Sequence, residues 1–258
     1  MTEPVRISVV IPARNEAANI TGVLDRIFHS ARSSCEVLVV VDSRDDPTRP
    51  VVQAYAAAEP RLSCLVSTYG PGPANALRYG MDAAAGEITV VTMADGSDDV
   101  TQIEQLAALV RRGAVVAAAS RYSAGGGQLG GPAGQRLLSR AAGRSLHLLA
   151  RVGTRDATNS FKAYSTAFVR EAGIDSRTGF GIGIELTAKA RRLRRPVAEL
   201  PTTWHDRPAG RSSFRTAAWL PGYLRWYLFS FGPPLHLAKL RARCTAGGDE
   251  CRAAASLR

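Results

Sequence analysis

Cysteine is scarce in this chain of 258 residues: Cys35, Cys64, Cys244 and Cys251 are the full set, with no Cys-x-x-Cys pair and no Cys/His cluster. That excludes a disulfide-stapled scaffold and argues against a sulfur-bound metal. Cys35 and Cys64 flank apolar runs and read as core thiols. Lysine is scarcer still, at positions 162, 189 and 239, so nearly all the positive charge is arginine. Long apolar runs are missing too. The longest mainly apolar stretch, Trp219 to Phe231, has about half the length of a spanning helix and contains Pro221 and Arg225. The opening residues, Met1 to Arg6, lack the apolar segment of a secretory leader. The expectation from these absences is a reduced, cytoplasmic protein.

What is present is a globular composition, 45% hydrophobic and 21% charged. That suffices for one α/β domain with its own core and excludes a disordered chain. The net charge is +11 and the isoelectric point near 10.1. Such an excess of arginine suits an anionic partner, since planar guanidinium forks match phosphate better than lysine point charges do. A nucleotide, a phospholipid surface and nucleic acid all qualify on charge alone. No RNA motif interleaving aromatic and basic residues and no DNA-reading helix is evident, so no nucleic-acid partner is expected.

Short apolar runs alternate with helical periodicity. Ile7 to Ile11, Glu36 to Val41, Leu62 to Val66, Ile88 to Val91 and Ala114 to Ala119 read as buried strands. Between them, Ile20 to Phe28, Pro47 to Ala58, Pro73 to Ala85 and Val100 to Arg112 read as helices. This order predicts a mostly parallel sheet with helices on both faces. Ligands bind such sheets beyond the carboxyl ends of the strands, which singles out Arg14 to Glu16, Asp42 to Asp46, Asp95 to Asp99 and Ser120 to Tyr122. In the second half, Gly125 to Gly127 and Gly130-Gly131 mark a flexible loop. Arg136 to Ala150 reads as a helix packing through Leu137, Leu138, Leu146 and Leu149. Ile184 to Leu193 reads as a helix and Val197 to Leu200 as a strand.

Asp95 closes the fourth run, in Met93-Ala94-Asp95-Gly96-Ser97-Asp98-Asp99. Carboxylates at a strand end suit a hard divalent cation shared with phosphates. They equally suit a polar turn in which Asp99 caps the next helix. Asp42, ending the second run, could accept hydrogen bonds from a base or ribose, or cap a helix before Pro47. Glu16 could serve a ligand or favour a helix N-terminus.

Taken together, the segments resemble a known family. Val10-Ile11-Pro12-Ala13-Arg14-Asn15-Glu16-Ala17-Ala18-Asn19-Ile20 is similar to the opening signature of family-2 glycosyltransferases of the GT-A, Rossmann-like fold. Gly70-Pro71-Gly72-Pro73-Ala74-Asn75, Ser120-Arg121-Tyr122, Leu137 to Arg140, Arg155 to Tyr164, Gly179-Phe180-Gly181 with Ile184-Glu185, Asp206-Arg207 and Gly210-Arg211-Ser212-Ser213 follow in order. Their order and spacing resemble the dolichol-phosphate mannose synthase branch, over roughly residues 7 to 215.

The resemblance implies inverting transfer of a sugar from a GDP- or UDP-linked donor to a polyprenyl monophosphate, with Mg²⁺ or Mn²⁺. Pro12, Arg14, Glu16, Asp42 and Asn75 would line the nucleotide pocket. Asp95 would hold the metal, with Asp98 compensating for Met93, which stands where the family's first motif Asp usually is. Ser97 stands where a Gln or Ser often follows that motif. Arg207 would meet the donor diphosphate, and Glu185 sits where the family has a glutamate near the reaction centre. Arg121, Arg136, Ser139 and Arg140 would hold the acceptor phosphate. Arg14 replaces a common Tyr, and Ser213 a common Lys. If the acceptor were a hydroxyl instead, a base would be needed, and Asp98, Asp156 and Glu185 are the carboxylates at hand. Two alternatives therefore stay open: a soluble transferase acting on a small-molecule or saccharide hydroxyl, and a nucleotide-sugar binding protein without catalysis. The expected organisation is a GT-A domain over 1–215, an amphipathic, membrane-interfacial helix over 216–232, and a disordered tail over 233–258. The expected site of action is the inner face of the cell membrane, reached peripherally.

Overall fold

The computed structural model describes residues 6–31, 34–207 and 216–242. The Gly210 to Ser213 motif, Cys244, Cys251 and the end of the expected tail lie outside these residues. β1 (Ile7–Ala13) and β2 (Cys35–Val41) are almost wholly buried, as near-continuous apolar strands in a two-sided sheet must be. β3 (Leu62–Val66), β4 (Ile88–Val91) and β5 (Val116–Ser120) follow, separated by α1 (Ile20–Ser30), α2 (Thr48–Ala56), α3 (Pro73–Ala83) and α4 (Ile103–Arg111), the last entered through a 3-10 turn at Val100–Gln102.

Alternate side chains of β1 serve opposite layers, as the strand period of two demands. Val9 and Ile11 pack with α1 and α4 on one side, while Val10 packs with α3 on the other. That second layer also takes α6 (Thr166–Ala172) and α7 (Ile182–Arg192).

The seven-stranded sheet runs β3-β2-β1-β4-β7-β5-β8. β7 (Lys162–Ser165) is antiparallel to both β4 and β5, and every other pairing is parallel, including that of β8 (Val197–Pro201) with β5. The sequence pattern does not mark β7 and α6. The expected flexible loop at Gly125 to Gly127 in fact leads into β6 (Gly127–Leu129), which pairs in parallel with β9 (Thr203–His205).

Strand order reverses between β1 and β4. Their pairing ends at Val10 with Val91, and Pro12, which has no N–H to give, lies beyond that last pair where the strands part. The crevice of a doubly wound sheet opens at such a point.

Two expectations change. Of the leucines expected to pack α5 (Ala133–Ser145) and the π-helical turn after it (Leu146–Ala150), only Leu146 is buried; Leu137, Leu138 and Leu149 are exposed. Helical periodicity shows which residues share a face, not whether that face finds a partner. A helix does stand there, α8 (Thr216–Ser230), but it is apolar on two sides, and the expected amphipathic pattern is not seen. Trp226 is buried against the π-helical turn, while Leu220, Leu224 and Leu228 are exposed. Residues after α8 return to the core, where Leu240 is buried and Leu235 N donates to Arg192 O at 2.7 Å.

Candidate active site

The loop after β1 is held from below by the start of α2. Asn15 adopts a left-handed φ of 58°, and its N–H donates to both Asp46 oxygens at 3.2 and 3.1 Å. Glu16 N donates to Thr48 Oγ1 at 2.9 Å. The Glu16 carboxylate accepts from Asn19 Nδ2 at 2.7 Å. Pro12 is buried at the strand end, whereas Arg14 is exposed without an ion pair among the described residues. Asp42 Oδ2 accepts from Gly72 N at 2.9 Å. Gly72 has a φ of 104°, a conformation that favours glycine, and it opens α3. Asn75, in the first turn of α3, donates to Pro71 O at 3.2 Å. Asp42 therefore ties the β2 end to the glycine loop, with Asn75 beside it.

At the end of β4, Asp95 and Asp98 are both nearly buried. Asp95 Oδ1 accepts from Ser97 N at 3.1 Å, and its Oδ2 accepts from Arg207 Nη2 at 2.8 Å. The other Arg207 terminal nitrogen, Nη1, donates to Glu16 Oε1 at 3.2 Å. One guanidinium thus bridges the Glu16 carboxylate and the strand-end carboxylate of Asp95. β9 delivers it: His205 N donates to Ser97 O at 3.0 Å, two residues before Arg207. Asp98 accepts from Thr92 Oγ1 at 3.0 Å and Met93 N at 3.1 Å. Burial, and then the neighbouring Asp95 charge, push the Asp98 carboxyl up to about 7. Asp99 does cap the following turn, accepting from Thr101 N at 3.2 Å.

Two close carboxylates make a hard-oxygen pair of the kind that Mg²⁺ or Mn²⁺ shares with substrate phosphates. Met93 adds no hard donor, and its amide is spent on Asp98. Among the described residues no group of three or more His, Cys, Asp or Glu is arranged to hold a metal. Asp95 and Asp98 would thus supply at most two hard donors, and a cation held there would take its other ligands from phosphate and water.

At the end of β5 a second cluster forms around Arg121. Its Nε and Nη2 donate to the fully buried Asp156 at 2.7 and 2.9 Å, and its backbone N donates to the same carboxylate at 3.1 Å. Nη2 also reaches Ser139 Oγ at 3.2 Å and Thr158 Oγ1 at 3.4 Å; the two hydroxyls lie 2.6 Å apart. Nη1 makes a long 3.5 Å contact with Gln128. Burial works against the Asp156 charge, yet Arg121 outweighs it and leaves the carboxyl below its ordinary value. Arg121 also lowers the pKa of Asp98, so both clusters lie in one electrostatic field. Lys162 lies fully buried beneath, donating to the carbonyls of Asn159 and, at 3.2 Å, Ala157; burial pushes it down to about 8.

The structure brings Asp95, Asp98, Arg207 and Glu16 together at one centre, and Arg121 and Ser139 at the other. Arg136 and Arg140 flank Ser139 on α5, exposed and without ion pairs among the described residues. Glu185 joins neither centre. It accepts from Asp175 N at 2.6 Å, Ser176 N at 2.8 Å and Lys189 Nζ at 2.6 Å, pinning the loop before α7. Sequence reasoning missed the anchoring roles of Asp46 and Thr48, the Arg121 partnership of Asp156 and Thr158, and the buried Lys162. Asp156 and Lys162 stood in a quoted motif, but nothing local showed which distant arginine the carboxylate would meet.

The family described as "Glycosyl transferase family 2" matches residues 8–173. A polyprenol monophosphomannose synthase of Mycolicibacterium smegmatis is 31% identical over 214 residues, spanning 80% of each chain. An undecaprenyl-phosphate mannosyltransferase of Micrococcus luteus is 27% identical over 213 residues, 80% of this chain and 86% of that one. Among solved structures, glucosyl-3-phosphoglycerate synthase of Mycobacterium tuberculosis, in complex with Mn²⁺, UDP and glucosyl-3-phosphoglycerate, superposes with a TM-score of 0.64 at 19% identity. The match covers 90% of this chain and 81% of that chain. A Pyrobaculum calidifontis mannosyltransferase with GDP-Man and Mn²⁺ gives 0.60 at 20% identity, covering 94% and 70%. At such identities the likeness speaks for the fold.

Proposed function

We propose a function from one premise: the chain belongs to glycosyl transferase family 2. It is a glycosyltransferase. We infer that it moves a sugar, with inversion, from a GDP- or UDP-linked donor to a polyprenyl monophosphate, working peripherally at the cytoplasmic face of a membrane. Two relatives carry names that specify polyprenyl-phosphate acceptors, which supports the acceptor class. Among the described residues no helix is long and apolar enough to cross a membrane.

The observation that carries the reading is the Arg121 cradle. A buried carboxylate locks the arginine in place, two hydroxyls stand beside it, and Nη1 is left with one weak contact. Such a group binds an anion. A phosphate monoester arrives already ionised, so the cradle has to position its oxygen for in-line attack on the anomeric carbon, and proton removal is unnecessary. Asp156, spent on Arg121 and held below its ordinary pKa, is unsuited to act as a base. Asp98 has a pKa suited to a base, but it lies buried and bonded to Thr92 and Met93.

On the donor side, Glu16, Asp42 and Asn75 would receive the nucleoside, with Pro12 and Arg14 at the rim. As the glycosyl bond breaks, negative charge grows on the leaving diphosphate. Arg207 would exchange its carboxylate partners for that diphosphate and stabilise the charge. Asp95, with Asp98, would hold Mg²⁺ or Mn²⁺, which when bound supplies further charge stabilisation at the diphosphate. Arg136 and Arg140, at the mouth of the cradle, would draw the acceptor phosphate in. For Glu185 we propose a supporting role through the 173–177 loop.

The test is incubation of the purified protein with a panel of GDP- and UDP-sugars, Mg²⁺ or Mn²⁺ and a short polyprenyl phosphate, with product analysis by mass spectrometry. A metal-dependent polyprenyl-phosphate sugar, lost in Asp95→Ala, is the expected result. Transfer to a saccharide hydroxyl in its place, or donor binding without turnover, would overturn this acceptor assignment.

A further inference from the structure

We propose that Lys162 is a positioning residue for the acceptor phosphate: its ammonium gathers the carbonyls beneath the Arg121 cradle and thereby sets the cradle's shape. That the cradle receives a polyprenyl phosphate rests on the transferase reading above.

Lys162 is a charge in a costly place. Its side chain is fully buried. The ammonium donates to Asn159 O, to Ala157 O at 3.2 Å and to Asp156 O at 3.4 Å. An ammonium has three hydrogens, and three carbonyls take them. A methionine would fill similar space without desolvating a charge. It could not satisfy three carbonyls aimed at one point. Without a donor those oxygens would repel one another and stay unpaired in a buried place.

Topology sets the ammonium under the cradle. In β7, Lys162 pairs with Val91 of β4 and Ala118 of β5. Its side chain shares the strand face of Tyr164, which packs towards α7. Gly183, in the first turn of α7, closes the space below. A Cβ there would lie 3.1 Å from Asn159 O and 3.4 Å from Lys162 Nζ.

The same loop meets the cradle with its side chains. Asp156 accepts from two Arg121 side-chain nitrogens, at 2.7 and 2.9 Å. Thr158 Oγ1 lies 2.6 Å from Ser139 Oγ and 3.4 Å from Arg121 Nη2. Asn159 Nδ2 donates to Ala119 O at 2.8 Å, fastening the end of the loop to β5. Within four residues, carbonyls meet Lys162 and side chains meet Arg121. Holding the carbonyls therefore holds the side chains.

The charged groups that face the ammonium are Asp156 from the loop, Asp98 from beyond β4 and Arg121 from beyond β5. From α7 it meets Gly183, while Glu185 of that helix is bonded to Lys189. Burial outweighs the two carboxylates and brings Lys162 down to about 8. A neutral amine has two hydrogens for three carbonyls, so the loop then loses one tie.

The experiment measures kcat/KM for a short polyprenyl phosphate against pH at saturating donor, and donor binding without acceptor. It uses the wild type, Lys162→Met and Lys162→Arg. In the wild type a descending limb near pH 8 is expected for the acceptor and none for donor binding. Lys162→Met should lower acceptor kcat/KM at neutral pH roughly a hundredfold and remove the limb, with donor binding unchanged. Lys162→Arg, which keeps its charge throughout, should restore most of the loss and show no limb. Circular dichroism melts report whether each variant folds; if Lys162→Met does not, the wild-type and Lys162→Arg profiles decide. A wild-type acceptor profile that stays flat through pH 8 would overturn the proposal, as would a folded Lys162→Met protein with wild-type acceptor kcat/KM. Amide exchange over residues 156–161 needs no acceptor. Faster exchange in Lys162→Met, confined to this loop, is expected, and unchanged exchange would overturn the proposal. No transfer to polyprenyl phosphate by the wild type would remove the acceptor reading alone, and faster loop exchange would then leave the hold of Lys162 on the cradle standing.

Discussion

Asp156→Asn keeps the shape of a side chain and removes its charge at the most heavily bonded point of the site. The native carboxylate accepts from Arg121 at Nε, Nη2 and the backbone N, and from Thr158 Oγ1 and Asn159 N, each at 3.2 Å. It is fully buried, and the Arg121 side chain is only 12% exposed. An amide would turn donors towards the guanidinium. Lys162 would lose the carboxylate that opposes its own loss of charge. Removing one partner of a buried pair typically costs about 3–5 kcal/mol, because the other charge stays behind. For a chain of this size that lowers Tm by roughly 6–20 °C.

The pH dependence has a definite sign. Asp156 has a depressed pKa in the fold, so its stabilisation is complete above the unfolded value of about 3.9 and is lost as pH falls through the folded one. The gap between wild type and Asp156→Asn should narrow in acid, and narrow again as pH rises towards about 8, where Lys162 gives up the charge that the carboxylate offsets. Urea unfolding followed by tryptophan fluorescence at several pH values measures it. Arg121→Met/Asp156→Leu, which removes both charges, should recover most of the stability while polyprenyl-phosphate transfer stays lost. An Asp156→Asn protein within about 1 kcal/mol of wild type at neutral pH, or a double variant less stable than the single one, would refute the reasoning.

Arg207→Lys replaces a fork that spans Glu16 and Asp95 with one point charge; turnover should fall about a hundredfold with an unchanged melting temperature, measured by steady-state kinetics and calorimetry. Asp98, pushed up to about 7, keeps its proton in the fold through a range where the unfolded chain has released it. Metal-free stability should therefore decline by about 1.4 kcal/mol per pH unit between the two values, and Asp98→Asn should abolish that slope in denaturation curves. Gly143→Ala would ordinarily favour a helix by about 1 kcal/mol, but its Cβ would lie 2.1 Å from Arg155 O. We expect a net loss of about 1–3 kcal/mol and a raised KM for the acceptor as α5 shifts, read by thermal melts and kinetics.

Apolar patterning was enough to locate the first half of the sheet and the crevice at its strand ends. Buried parallel strands must be apolar on both faces, so Ile7 to Ile11 and Glu36 to Val41 announced themselves, and the polar residues after them fell at the crevice. The sequence also placed Arg121 and Ser139 in motifs of one order. Antiparallel β7 stayed hidden, because Lys162 interrupts its apolar run and the lysine is satisfied only by the loop folded over it. The tertiary structure alone decided that Asp156 belongs to Arg121 and Glu185 to the loop before α7. A carboxylate's role depends on which donors the chain brings to it from far along the sequence. It alone also decided that the α5 leucines face outward. Periodicity in a sequence defines a face, and only packing decides what, if anything, covers it.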